Sequence, residues 1–234
     1  MATETLVFVH GSGDSGAVWA PLITLLPDVH AVALDLPGHG ALVDQPGPAE
    51  MSVADYAAFV RAALEKLGAQ RPTLVGHSLG GAVALRLTLD APELVGRIAL
   101  VGSGARLRVA PAFLEAARMA DPTGVPAITQ MAFAEGHAAE ARRYHTQRAG
   151  AAPGILYRDL AACNQFDVMG EVGRITQPAL LIVGEGDRMT PPKYSEYLAT
   201  QIPNATLAII PNAGHYAQIE QPQRVADALR AWLG

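Results

Sequence analysis

The chain predicts an α/β fold, a mostly parallel sheet of about six strands flanked by helices and carrying an inserted helical cap. Three observations predict it. Short, unbroken apolar runs such as Leu6-Val7-Phe8-Val9 and Ala179-Leu180-Leu181-Ile182-Val183 alternate with stretches of helical spacing. Runs of that kind suit parallel strands buried on both faces, and their alternation with helices suits right-handed crossovers. Each run ends in a glycine- or proline-rich loop, and in such sheets ligands sit at the carboxyl ends of the strands. One long stretch, 105–173, breaks the alternation and carries no strand run.

In order, the first strand is Leu6-Val7-Phe8-Val9, followed by the loop His10-Gly11-Ser12-Gly13-Asp14-Ser15-Gly16 and a short helix from Ala17 to about Leu25. The second strand, Ala31-Val32-Ala33-Leu34, runs into Asp35-Leu36-Pro37-Gly38-His39-Gly40. Pro46, Gly47 and Pro48 make 42–51 a loop. Ser52 is an N-cap with Asp55 at the capping-box position. Val53, Tyr56, Val60, Leu64 and Leu67 recur at helical spacing until Gly68 stops the helix. Thr73-Leu74-Val75 is the third strand, followed by a helix that stops at Asp90-Ala91-Pro92, and Ile98-Ala99-Leu100-Val101 is the fourth. Alanine-rich helical pieces broken by proline and glycine fill 105–173, so the core is expected over 1–104 and 174–234 and the cap over 105–173. Ala179 to Val183 and Leu207-Ala208-Ile209-Ile210 are the last two strands, and a terminal helix starts near Gln221.

Composition bounds the function. With 234 residues, half of them hydrophobic and 17% charged, the chain suits one large domain with a substantial core. A formal charge of −5 supplies no electrostatic attraction for nucleic acid or an anionic membrane. No stretch of about 18 apolar residues implies a membrane span. The first residues show neither a basic segment nor a long apolar one, so no signal peptide is expected. The lone Cys163 excludes an internal disulfide and is compatible with a cytoplasmic location.

Gly76-His77-Ser78-Leu79-Gly80-Gly81 follows the third strand and opens the next helix. It matches G-x-S-x-G, in which a serine stands on a sharp strand-to-helix turn. Gly76 and Gly80 let strand and helix pass closely, and the helix N-terminus suits an anion forming beside Ser78. A serine hydroxyl needs a base, and the base needs an acid that fixes its tautomer. His215 lies beyond the last strand and Asp187 beyond the one before it, so Ser78, Asp187 and His215 are the candidate catalytic residues. Glu185 is the rival acid, and the Gly-x-x-Asp spacing favours Asp187. Asp35 is expected to be a turn residue, as is His39, while His10 and His77 pack behind the loops. His137 and His145 show no ligand-like spacing, so no metal is expected.

These stretches, with Gly184-Glu185-Gly186-Asp187-Arg188-Met189-Thr190-Pro191 and Ala213-Gly214-His215, together resemble the α/β-hydrolase superfamily over nearly the whole chain. The similarity is to its small capped esterases, lactonases and carbon–carbon bond hydrolases. The resemblance implies an oxyanion hole made by the backbone N–H groups of Ser12 and Leu79. It makes 105–173 a lid over the substrate, with Met119, Met131, Phe133, Phe166 and Met189 as candidate pocket residues. It implies a serine carboxyl-ester hydrolase for small to medium apolar esters, working through an acyl-enzyme with no cofactor. A carbon–carbon hydrolase or enol-lactonase with the same triad is the alternative. A hydroxynitrile lyase is disfavoured because Tyr216, not a lysine, follows His215, and a non-catalytic ligand receptor is the non-enzyme reading. The superfamily sheet usually begins with two further strands. Their absence leaves an edge that a homo-oligomer would cover.

Overall fold

A computed structural model describes residues 4–119, 130–147, 152 and 154–234. Its sheet has six strands: β1 (Thr5–Val9), β2 (His30–Leu34), β3 (Thr73–His77), β4 (Arg97–Val101), β5 (Ala179–Gly184) and β6 (Ala205–Ile210). All pair in parallel, in the order β2-β1-β3-β4-β5-β6. The chain moves outward from β1 to β2, then crosses back to lay β3 on the other side of β1. The loops after β1 and β3 therefore open beside a topological switch point, where α/β sheets form their crevices. Val9 pairs with Gly76, so those two loops leave the sheet at one level. At the far side Gly184 pairs with Ile210, bringing the loops that hold Asp187 and His215 together.

The unbroken apolar runs arise because both faces of the sheet are covered. Val7, Val9, Leu74, Ile98, Leu100 and Leu181 join one core cluster, while Leu6, Phe8, Val75, Ala99, Val101 and Ile182 join the other. The first is roofed by α2 (Val53–Leu67) and α3 (Leu79–Asp90), the second by Trp19, by Leu22 of the short α1 (Ala20–Ile23) and by the C-terminal helix, Pro222–Leu233. The expected start and stop of α2 are both present: Ser52 and Asp55 form the reciprocal capping box, and Gly68 ends the helix at φ +63°. Edge strands β2 and β6 are only partly buried.

Between β4 and β5 the chain forms α4 (Pro111–Arg118), α5 (Ala138–Gln147) and α6 (Ile155–Gln165). Its two ends are tied: Val168 N–H donates to Ala105 O at 2.8 Å, and Leu107 N–H to Phe166 O at 3.3 Å. Ala162, Cys163, Phe166 and Val168 pack in the same cluster as α3, so the inserted segment shares the core of the sheet domain. Among the described residues no helix is long and apolar enough to cross a membrane.

Candidate active site

Ser78 stands between β3 and α3 at φ +51°, ψ −111°, a costly conformation for a side chain with a Cβ. Its surroundings hold it there. Ser78 N–H donates to Val101 O at 3.0 Å, and Ser103 Oγ donates to Ser78 O at 2.8 Å. The elbow needs its glycines. A Cβ on Gly76 would lie 2.3 Å from Gly80 O, and one on Gly80 2.1 Å from Val9 O. Strand and helix thus cross at a separation no other residue permits.

Asp187 and His215 meet on the adjoining loops. His215 Nδ1–H donates to Asp187 Oδ2 at 2.9 Å. Asp187 is fixed by three further donors: Met189 N–H at 2.8 Å, Thr190 N–H at 2.9 Å and Thr190 Oγ1 at 2.8 Å. Burial opposes charge on both groups. The pairing outweighs it, holding Asp187 below the usual carboxylate value and His215 above the usual histidine value. With Nδ1 committed to Asp187, Nε2 is left as the proton acceptor. Ser78 and His215 line one cavity, and no hydrogen bond joins them among the described residues. Catalytic contacts of this kind are often loose without substrate and tighten around it.

That cavity, of about 200 Å³, is lined by Ser12, His77, Ser78, His215 and Tyr216 on its polar side. Leu107, Val109, Phe113, Leu156, Leu160 and Met189 supply the apolar wall. Leu79 opens α3, so its N–H has no intrahelical acceptor, and Ser12 reaches the cavity from the β1 loop. His10 and His77 support the loops as expected: His10 Nδ1–H donates to Gly11 O at 2.8 Å and Nε2 accepts from Leu36 N–H at 3.0 Å, while His77 Nε2–H donates to His215 O at 3.0 Å. Burial, together with nearby histidines, lowers both: His10 to about 4, and His77 well below the ordinary histidine value. Asp35 is a turn residue, accepting from Gly16 N–H at 2.6 Å and Ala41 N–H at 2.8 Å.

The five pocket candidates separate. Met189 lines the cavity. Met119 and Met131 lie on the surface, outside its lining. Phe133 is buried elsewhere, stacked on Tyr216 with ring centroids 5.0 Å apart. Phe166 is taken into the core beside Cys163 and Val168. Apolar character reports that a side chain prefers to leave water, not which surface receives it, so these four were indistinguishable from Met189 in the sequence. Two sets of residues gave no sequence signal at all. Glu220 cradles the histidine loop, accepting from Gly214 N–H at 2.9 Å, Tyr216 N–H at 3.1 Å and Ala134 N–H at 2.8 Å. Arg158 and Asp159 on α6 are both buried, and Asp159 accepts from His39 Nε2–H at 2.9 Å. His39, expected to be a turn residue, does lie in the bend after β2 and is fully buried there. Among the described residues no group of three or more His, Cys, Asp or Glu side chains is placed to hold a metal.

Comparison with known proteins points the same way. The chain is 34% identical to "Putative carbamate hydrolase RutD" of Pseudomonas syringae pv. syringae, over 98% of this chain and 93% of that protein. It is 29% identical to pimeloyl-[acyl-carrier protein] methyl ester esterase of Neisseria meningitidis serogroup C, over 99% and 94% of the two chains. Among solved structures, a thermophilic esterase shares 33% identity at a TM-score of 0.81, covering 97% of this chain and 88% of that one. The model of the alpha/beta hydrolase family matches residues 6–228. The chain belongs to the alpha/beta hydrolase family.

Proposed function

We propose that this enzyme, of the serine hydrolase type, cleaves carboxyl esters through an acyl-enzyme on Ser78. The observation that carries the reading is the pairing of His215 with Asp187, at 2.9 Å, in the same cavity wall as a serine held on a strained elbow. His215 Nε2 takes the proton from Ser78 Oγ as the oxygen attacks the ester carbonyl. The N–H groups of Ser12 and Leu79 receive the developing oxyanion. His215 then hands its proton to the leaving alcohol, and the acyl group passes to a water activated by the same nitrogen.

The segment 105–173 acts as the cap, contributing Leu107, Val109, Phe113, Leu156 and Leu160 to an apolar acyl pocket. Arg108 and Arg188 also line the cavity, both exposed, their guanidinium groups donating to the backbone carbonyls of Asn164, Met131 and Phe133. Positive charge at the mouth favours substrates whose far end is neutral or anionic over cationic ones. A lactonase reading stays second. It is supported by a solved structure described as an N-acyl homoserine lactone degrading enzyme, Est816, at 25% identity and a TM-score of 0.84.

The test is hydrolysis of p-nitrophenyl esters from acetate to decanoate, alongside half-esters of dicarboxylic acids and a lactone series. Ser78→Ala should reduce turnover by about 10⁴–10⁶. Ester activity that survives this change would discard Ser78 as nucleophile. Turnover of lactones alone would move the reading to the alternative.

A further inference from the structure

We infer that α6 positions the oxyanion loop, with Asp159 as the positioning residue. The inference rests on the esterase reading and on Ser12 N–H as an oxyanion donor. Two contacts from one face of α6 reach two consecutive residues of that loop. Asp159 Oδ2 accepts from Gly13 N–H at 2.8 Å. Cys163, four residues and one turn further along the same helix face, brings its Sγ to 3.6 Å from Ser12 Oγ. Ser12 is thereby held from its own side chain and from the peptide that follows it. Gly13 has φ +65°, so the peptide orientation at this corner depends on a left-handed turn that local sequence alone holds weakly.

Asp159 is itself held from the sheet side. Its Oδ2 also accepts from His39 Nε2–H at 2.9 Å, and its Oδ1 accepts from Tyr56 OH. Three donors converge on one carboxylate with no solvent exposure. Such a network is rigid when complete and costly when one partner is lost. Arg158 beside it fastens the helix and braces the Tyr56 hydroxyl that holds Asp159. Its Nε–H donates to Tyr56 OH at 2.9 Å, and its Nη atoms to Pro48 O at 3.1 Å and Pro37 O at 2.5 Å. The inserted segment therefore does more than roof the substrate. Its helix sets the angle of a donor whose value depends on geometry, since a misplacement of about 1 Å costs on the order of 10²-fold in rate.

The experiment compares Asp159→Asn with Gln177→Ala, both normalised by titration of Ser78 with a fluorophosphonate. Asp159→Asn is expected to lower kcat by about 10²-fold per titrated site, with KM changed less than about 3-fold. The Ki of a trifluoromethyl ketone, whose tetrahedral adduct places an oxyanion at the same spot, should rise in parallel. Gln177→Ala, which removes a hydrogen bond to Pro92 O at 2.7 Å at the opposite end of the sheet, should lower the melting temperature yet leave kcat per site near wild type. If Asp159→Asn does not fold, Cys163→Ala carries the test, with kcat about 5-fold lower expected from the looser loop. A kcat within about 3-fold of wild type for Asp159→Asn, or unchanged for Cys163→Ala, would overturn the inference while leaving the esterase reading intact. Wild-type protein that neither labels with fluorophosphonate nor turns over esters would overturn both.

Discussion

The elbow around Ser78 and the corner around Asp159 both abut the end of β1 and the loop after it, and they are built by opposite means. At the elbow, the residues that shape the turn sit within six positions of chain: Gly76 and Gly80 clear the crossing, and α3 starts immediately after the serine, with Val9, Val101 and Ser103 meeting it from elsewhere. At the Asp159 corner, the partners come from 13, 39, 56 and 159, and no two are neighbours in sequence. The elbow is held by backbone sterics, where there is no room for a second arrangement. The corner is held by hydrogen bonds to a buried carboxylate, where each partner can be removed singly. Damage to the first should therefore abolish chemistry or folding outright, and damage to the second should detune it.

The largest effects belong to the elbow and its base. Asp187→Asn should reduce kcat by about 10⁴-fold, because His215 loses the partner that fixes its tautomer and stabilises its charged form. The pH profile sharpens this. Neutral His215 is the working form, so kcat/KM falls as pH drops through its folded value. The carboxylate raises that value, so the acid limb in wild type should lie above about 6.5. In Asp187→Asn burial is opposed only by the weaker pull of Asp14 and Glu220, and the limb should move to lower pH. A limb that stays in place would mean the pair does not control the base.

Next comes the crossing itself. Gly80→Ala places a Cβ 2.1 Å from a backbone oxygen, and backbone cannot swing aside as a side chain can. It should cost about 3 kcal/mol or more by chemical denaturation. Arg158→Met, at the corner, removes charge-assisted bonds to three proline carbonyls and Tyr56. A loss of roughly 2–3 kcal/mol is expected, seen as a drop in melting temperature of about 4–12 °C. The smallest change is outside both regions. Arg61 and Glu65 pair at 3.0 Å with each side chain more than half exposed, so Arg61→Ala should shift stability by less than about 0.5 kcal/mol. A larger shift would show that solvent-exposed α2 pairs matter here as much as buried ones.

What could be seen in the chain beforehand follows the same division. The strand runs, the capping box at Ser52, the stop at Gly68 and the Gly76–Gly80 spacing were all legible because each leaves a pattern within a few consecutive residues. Asp187 and His215 were legible for a different reason. A parallel sheet puts every strand's carboxyl end on one side, so a polar residue just after a strand is already placed near its counterparts. Their 2.9 Å contact and the three extra donors to Asp187 were not, since those depend on how Thr190 and Met189 turn.

The inserted segment marks the other limit. Met119, Met131, Phe133 and Phe166 carried the same apolar signal as Met189, yet two face solvent, two are buried in separate cores and only Met189 meets the cavity. Hydrophobicity states that a side chain prefers to leave water and not which surface receives it. Asp159 is the sharper case, because a lone aspartate in a helix ordinarily belongs at the surface. Sequence alone determined the sheet, the elbow and the order of the three polar residues, because local sterics and strand polarity leave few alternatives. Tertiary structure decided which apolar groups line the cavity and which charge is buried beside the loop after β1, because those depend on long-range packing that brings distant donors to one carboxylate.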